Sequence, residues 1–223
     1  MPAVTFHVDA ALFDMDGTLV NSTAGVVGAW ELFKEKYPDI NIEDILSSAH
    51  GVRTVDNLRK YCGIEDPQEL TKPLGRPGIL KLPGVARAIQ EINSGRRYPN
   101  PSWAICTSAT REYALAALAN AGIDVPDAFV AAEDVKVGKP APDPYLLGAE
   151  KCGVKPENCV VFEDAPAGIQ SGKRAGCKTI GFLTTHDKTQ METVNPDFLV
   201  PNMASVSLKL SQGGGIDVTV DLD

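Results

Sequence analysis

The stretch "LFDMDGTLVNS", residues 12–22, decides how this chain is read. An apolar run ends in two aspartates, Asp14 and Asp16, one residue apart, and a glycine and a threonine follow. Carboxylates held that close repel each other, so something positive is expected between them. Where a buried strand runs out is also where an α/β protein builds its site.

Working outward, further short apolar runs recur at residues 11–15, 103–108, 128–132, 159–164 and 177–183. They are nearly continuous rather than alternating, which suits strands buried on both faces. Helical patterns fall between them at about 111–121, 144–152 and 166–175. "NAGI", "KCGV" and "RAGC" each supply a glycine where a helix should stop before the next strand. The alternation predicts an α/β fold with a mostly parallel sheet.

The rhythm fails between Val20 and Pro83. Helices are predicted there near 22–37, 42–48 and 54–62, with a weaker one at 67–72, and Trp30 and Phe33 read as a packing stripe. "KPLGRPGILKLPG" then breaks the pattern with three prolines and three glycines. The division expected is a Rossmann-like core of residues 1–19 and 84–223, with a small helical cap, 20–83, inserted beside the paired aspartates as a lid. At the C-terminus, the alternation Ile216, Val218, Val220, Leu222 predicts an edge strand or hairpin partner, and the three glycines before it a mobile joint.

With 43% hydrophobic and 22% charged residues among 223, the composition is that of a soluble globular protein. A net charge of −8 argues against broad attraction to nucleic acid or anionic lipid, so an anionic substrate would need local positive charge. No run approaches ~18 apolar residues, and "MPAVTFHVDA" lacks the basic and apolar parts of a signal peptide. "NST" at Asn21 matches a glycosylation acceptor by coincidence in a chain without a secretory signal. The five cysteines are scattered without a C-x-x-C pair and read as small buried hydrophobes in a reducing compartment. A cytoplasmic monomer is expected, acting on no membrane and no nucleic acid.

Ligands of parallel α/β sheets bind at the carboxyl ends of the strands. Asp14 and Asp16 close the first strand, Thr107 and Ser108 the second, Glu163 and Asp164 the fourth. "VGKPAPDP" puts Lys139 in the loop after the third. Each alone has a plain structural reading as a turn, a helix start or a loop charge; their convergence does not. Four carboxylates in one pocket need a cation. Mg²⁺, which takes a few carboxylates plus waters and phosphate oxygens, suits them. Lys139 adds positive charge, and hydroxyl and N–H groups at a helix start suit an anion. Metal, lysine and anion cradle together point to a phosphoryl group, and with a carboxylate nucleophile to covalent phosphoryl transfer.

"FDMDGT", "TS" after a strand, the lysine of "VGKPAPDPY" and "VFEDAPAGIQSGKRAG" resemble, in order, the four motifs of the haloacid dehalogenase superfamily. The resemblance implies Asp14 as nucleophile, Asp16 as general acid/base, and Thr107 or Ser108 on the phosphoryl oxygens. Lys139 would stabilise their charge. Mg²⁺ would be held by Asp14, the carbonyl of Asp16, and Asp164 with help from Glu163. The cap would select the leaving group, with His50, Gly51 and Arg53 of "AHGVRT" facing the site and Arg53 the foremost substrate contact. Within the superfamily the chain is similar to fungal phosphatases of glycerol phosphate and deoxyhexose phosphate. It departs from them between "EDPQEL" and "GRPGI", where the cap is shorter by about a helix.

The function expected is therefore a Mg²⁺-dependent phosphatase of a small phosphorylated polyol or sugar, working through an aspartyl phosphate. A phosphomutase of the β-phosphoglucomutase kind is the alternative among enzymes. A non-catalytic phosphometabolite-binding protein is the alternative if the short cap fails to close. A dehalogenase is disfavoured because Asp16 has no role in that chemistry, and a phosphonate hydrolase because the cap offers an arginine rather than a lysine.

Overall fold

The computed structural model describes residues 3–23, 27, 30–31, 34–35, 37–43, 45, 51–63, 79–97 and 99–222. Strands β1 (Val4–Val8) and β2 (Ala10–Phe13) follow one another with Asp9 between them. Next come β3 (Val20–Asn21), α1 (Thr54–Cys62), β4 (Leu80–Lys81) and α2 (Val85–Ile92). The chain continues through β5 (Trp103–Cys106), α3 (Arg111–Ala121), β6 (Ala128–Val130), α4 (Asp143–Lys151) and β7 (Cys159–Glu163). It ends with α5 (Pro166–Ala175), β8 (Lys178–Phe182), α6 (Lys188–Glu192), β9 (Phe198–Val200), β10 (Val206–Leu210) and β11 (Ile216–Val220).

Six strands form one parallel sheet in the order β6-β5-β2-β7-β8-β9. In β2, Ala11 and Phe13 pack on one face with α2 and α3, while Ala10 and Leu12 pack on the other with α4. Successive side chains of a strand point to opposite faces, so a strand covered on both sides must be apolar at every position. That is why the "AALF" run is continuous. Phe13 stacks on Phe162 of the neighbouring β7 at 4.7 Å between ring centroids. The α/β reading and the parallel sheet are therefore met, and α3 and α5 span the residues expected of them. Their stop glycines, Gly122 and Gly176, adopt the left-handed conformation, with φ of 63° and 88°.

Of the two places expected for the C-terminal strand, edge or hairpin partner, it takes the second. β11 is the middle strand of a three-stranded antiparallel sheet, β1-β11-β10, completing a hairpin with β10 on one side and pairing with β1 on the other. The glycines before it form the hairpin turn, where Ser211 N–H donates to the Gly215 carbonyl at 3.1 Å. This sheet sends Val206, Leu208, Ile216, Val218 and Val220 into the same core as the first face of the main sheet.

Between β2 and α2 the chain leaves and re-enters at one place, because β3 pairs antiparallel with β4. The described residues between 23 and 35, and 42, 43 and 45, are helical, as is α1. Trp30, Ile40 and Ile45 bury one another there with Tyr37, Ile42, Tyr61 and Cys62 packed round them, a cluster separate from the two faces of the sheet. His50, Phe33, the weaker helix at 67–72 and the shortened passage up to residue 78 lie outside the described residues.

Candidate active site

The turn after β2 is built around one carbonyl. Met15 O accepts from the N–H groups of Thr18, Leu19 and Val20 at 3.3, 2.9 and 3.0 Å. Gly17 sits at φ 84°, a conformation that costs other residues energy. It also makes room: a Cβ there would lie 2.1 Å from Asp164 Oδ2. The tight turn thus brings the end of β2 against the end of β7. The Thr18 hydroxyl donates to Asp164 Oδ1 at 3.1 Å, and the Thr185 hydroxyl, from the loop after β8, donates to Asp164 Oδ2.

Lys139 reaches into this edge from the loop after β6 and is buried. Its ammonium donates to Asp14 Oδ1 at 2.6 Å and to Glu163 Oε1 at 2.7 Å, and lies 4.9 Å from the centroid of the Tyr145 ring. Burial works against its charge, but the two carboxylates outweigh burial and raise its pKa above the ordinary lysine value. Tyr145, on α4, donates its hydroxyl to Glu163 Oε1 at 2.8 Å. The N–H groups of Asp164 and Ala165 donate to Glu163 Oε2, each at 3.1 Å.

A carboxylate has about four acceptor sites, and these four donors fill them. Glu163 in this way anchors Lys139 and the start of α5. Gly168 completes the fit, since a Cβ there would lie 1.7 Å from Glu163 Oε1.

Asp14, Glu163 and Asp164 each present an oxygen within 4.8 Å of the others, all in buried residues. Lys139 alone among the described buried residues sets an ammonium against them. Burial, with the charges of Glu163 and Asp164, pushes the Asp14 carboxyl well up, while Lys139 pulls the other way. Burial and Glu163 push Asp164 up to about 7, against the hydroxyls of Thr185 and Thr18 and the charge of Lys139. This excess of buried negative charge fits a hard cation with oxygen ligands. Asp14, Glu163 and Asp164 are the described residues whose oxygens lie close enough together to hold one.

Asp16 lies on the turn itself, bridged to Val20. Burial raises its pKa, opposed by hydroxyl contacts from Ser22 and Tyr113 and by the charge of Lys139. The Tyr113 hydroxyl donates to Asp16 Oδ1 at 3.2 Å. A carboxyl held up in this way is suited to proton donation.

Thr107 and Ser108 separate in the structure. Thr107 is buried, and its Oγ1 accepts from Ala109 N–H at 3.0 Å, which leaves its own proton to donate. The Ser108 hydroxyl instead donates to the carbonyl of Gly51, from the inserted segment, at 2.7 Å. Gly51, at φ 76°, lies against the start of α5, where a Cβ would come within 2.9 Å of Ala165 Cβ. Arg53 turns to its own helix and to the loop before Lys139, donating to Asp56 Oδ2 at 2.7 Å and to Lys136 O at 3.2 Å. Its guanidinium is thus bonded within the protein, to Asp56 and to the carbonyls of Val135 and Lys136.

Sequence reasoning missed four hydroxyls: Thr18, Tyr113, Tyr145 and Thr185. Tyr145 stands within "KPAPDPY", which was read only for its lysine. Thr185 follows the fifth apolar run, where the same rule about strand ends applies.

The model of the haloacid dehalogenase-like hydrolases matches residues 8–176. Glycerol-1-phosphate phosphohydrolase 2 of Saccharomyces cerevisiae is 34% identical over 233 residues, covering 98% of this chain and 90% of that protein. Hexitol phosphatase A of Escherichia coli is 34% identical over 214 residues, covering 92% and 96%. Among solved structures, a hydrolase from Pseudomonas syringae superposes with a TM-score of 0.73 at 23% identity, over 87% of this chain and 94% of that one. With its acidic edge and buried lysine reached from separate strand ends, the chain belongs to the haloacid dehalogenase-like hydrolases.

Proposed function

We propose that the protein is a Mg²⁺-dependent phosphatase that releases inorganic phosphate from a small phosphorylated polyol or sugar through an aspartyl phosphate on Asp14. The observation that carries this reading is Asp14 itself: a buried carboxylate paired with Lys139 at 2.6 Å, beside Asp164 and two residues before a second acid, Asp16. Relatives named as phosphatases of glycerol phosphate and hexitol phosphate support the substrate class.

Asp14, Asp164 with help from Glu163, and the backbone carbonyl of Asp16 would hold the Mg²⁺. When bound, it supplies positive charge that keeps Asp14 ionised and offsets charge on the phosphoryl group. Lys139 and Thr107 bind phosphoryl oxygens. An Asp14 oxygen attacks phosphorus as the P–O bond to the leaving alcohol breaks, and Asp16 gives that oxygen its proton. Asp16, now a carboxylate, takes a proton from water. The resulting hydroxide adds to phosphorus, the bond to Asp14 breaks, and phosphate leaves.

Residues 20–83 form the cap over this edge, and its described residues bury the cluster round Trp30. The five cysteines are free, and none of the described helices is long and apolar enough to cross a membrane. The test is phosphate release from glycerol, hexitol, deoxyhexose and hexose phosphates, with Mg²⁺ and with a chelator, beside Asp14→Asn. Turnover that needs Mg²⁺ and vanishes in the variant is expected. An isomerised sugar phosphate in place of free phosphate would make the enzyme a mutase. Absence of turnover from folded, Mg²⁺-loaded protein would overturn the reading.

A further inference from the structure

Arg53 and Asp56 meet as a planar pair, Nε to Oδ2 at 2.7 Å and Nη2 to Oδ1 at 3.1 Å. Two parallel charge-assisted bonds of this kind fix a guanidinium's direction as well as its energy. The third nitrogen, Nη1, points across to the core, to the carbonyls of Val135 at 3.4 Å and Lys136 at 3.2 Å. The stem lies flat on Gly138, where a Cβ would come within 2.7 Å of Arg53 Nε and 2.8 Å of Cδ. The side chain is only 15% exposed.

Lys139 is the next residue. Beyond it the loop is tied to α5, by Arg174 to Pro140 O at 2.8 Å and by Ser171 to Ala141 O at 2.6 Å. The far half of the loop is therefore held by the core. The near half is held by a cation from the inserted segment, and Lys139 stands between the two holds.

We infer that Arg53, oriented by Asp56, is a positioning residue: it clasps the backbone at 135–138 so that seating of the inserted segment and placement of the Lys139 ammonium are one event. Through Gly51, the same segment also touches Ser108 and Ala165. It thereby rests on three of the loops that carry the site. The inference rests on the proposed function for the role of Lys139, but the clasp itself is testable without turnover.

Three variants separate this role from a direct substrate contact. Arg53→Met deletes the cation. Asp56→Asn leaves Arg53 in place but frees its fork. Gly138→Ala keeps both residues and pushes the stem away. A clasp predicts that all three lower kcat by about 10- to 100-fold, the order of loss caused by a misplaced catalytic group. KM should change little, the loss should be equal across phosphate esters, and Arg53→Met with Asp56→Asn together should cost no more than either alone. It also predicts faster amide hydrogen exchange across residues 135–139 of the Mg²⁺-loaded variants.

Faster exchange without turnover in any form would retain the clasp and remove the phosphatase. Unchanged exchange at 135–139 in all three variants would overturn the clasp. So would an Asp56→Asn enzyme as active as the parent beside an Arg53→Met enzyme with a raised, substrate-dependent KM.

Discussion

Replacing Lys139 by methionine keeps the buried stem and removes the charge. The ammonium lies 2.6 Å from Asp14 and 2.7 Å from Glu163, with its side chain fully enclosed. Deleting one partner of such an arrangement leaves carboxylates buried without compensation, at a cost of roughly 3–5 kcal/mol. For a chain of this size that is a fall in Tm of about 6–20 °C.

The pH dependence gives the sharper test. Lys139 has a folded pKa above its unfolded one, so its contribution is fully present below the ordinary lysine value of about 10.4 and is flat between pH 5 and 8. Asp14 obeys the same rule in a lower pH window. Burial already pushes its carboxyl up, and removal of Lys139 takes away the charge that pulled it down. A carboxyl raised on folding favours the native state below its unfolded value of about 4, and that contribution is lost as pH rises through the folded value. The deficit of Lys139→Met should therefore be smallest near pH 5 and widen towards pH 8. Urea denaturation followed by circular dichroism in chelator, at both pH values, measures it. A deficit equal at the two, or none at either, would refute the account of the cluster as carboxylates compensated by one ammonium.

Gly168→Ala should destabilise the protein by the upper part of the roughly 1–3 kcal/mol typical of overpacking, although alanine is the better helix former, because Glu163 is pinned where the Cβ would go; a thermal melt above the parent's would contradict this. Thr185→Ala removes the donor to Asp164 Oδ2 and should weaken Mg²⁺ binding on the order of 10- to 100-fold, with Thr185→Ser restoring it, as read by calorimetry and by the shift in Tm on adding Mg²⁺. Tyr145→Phe leaves Glu163 short of one donor and should cost about 1.5–3 kcal/mol of stability in urea unfolding, the range for a hydrogen bond to a charged group.

The residues that face the reacting edge were legible because topology does the gathering. Once 10–13, 103–106 and 159–163 are read as parallel strands, the polar residues that end them must share an edge, whatever their separation in the chain. What that rule cannot supply is the direction of each side chain. Glu163 ends β7 as expected, yet the two backbone N–H groups, the tyrosine and the lysine that meet its oxygens follow only from the direction in which it points. Arg53 lies in the inserted segment as expected, yet its partner is Asp56, three residues on, where helix spacing invites a pair. Strand β1 was missed because "VTFHV" has mostly exposed positions and lacks the continuous apolar run that marks the strands of the main sheet.

The same electrostatics link stability and chemistry. Three buried carboxylates held against one ammonium are an arrangement that a protein selected for stability alone would replace with apolar side chains. Here the surrounding groups do not relieve the excess. Thr18 and Thr185 orient Asp164 without neutralising it, and Gly17 and Gly168 give up side chains so that Asp164 and Glu163 can lie close to the turn and to α5. An edge so constructed gains most when a divalent cation supplies the missing positive charge. Mg²⁺ should therefore stabilise this protein by more than its binding to a lone pair of surface carboxylates would, and Asp164→Asn should abolish most of that added stability while raising that of the metal-free protein.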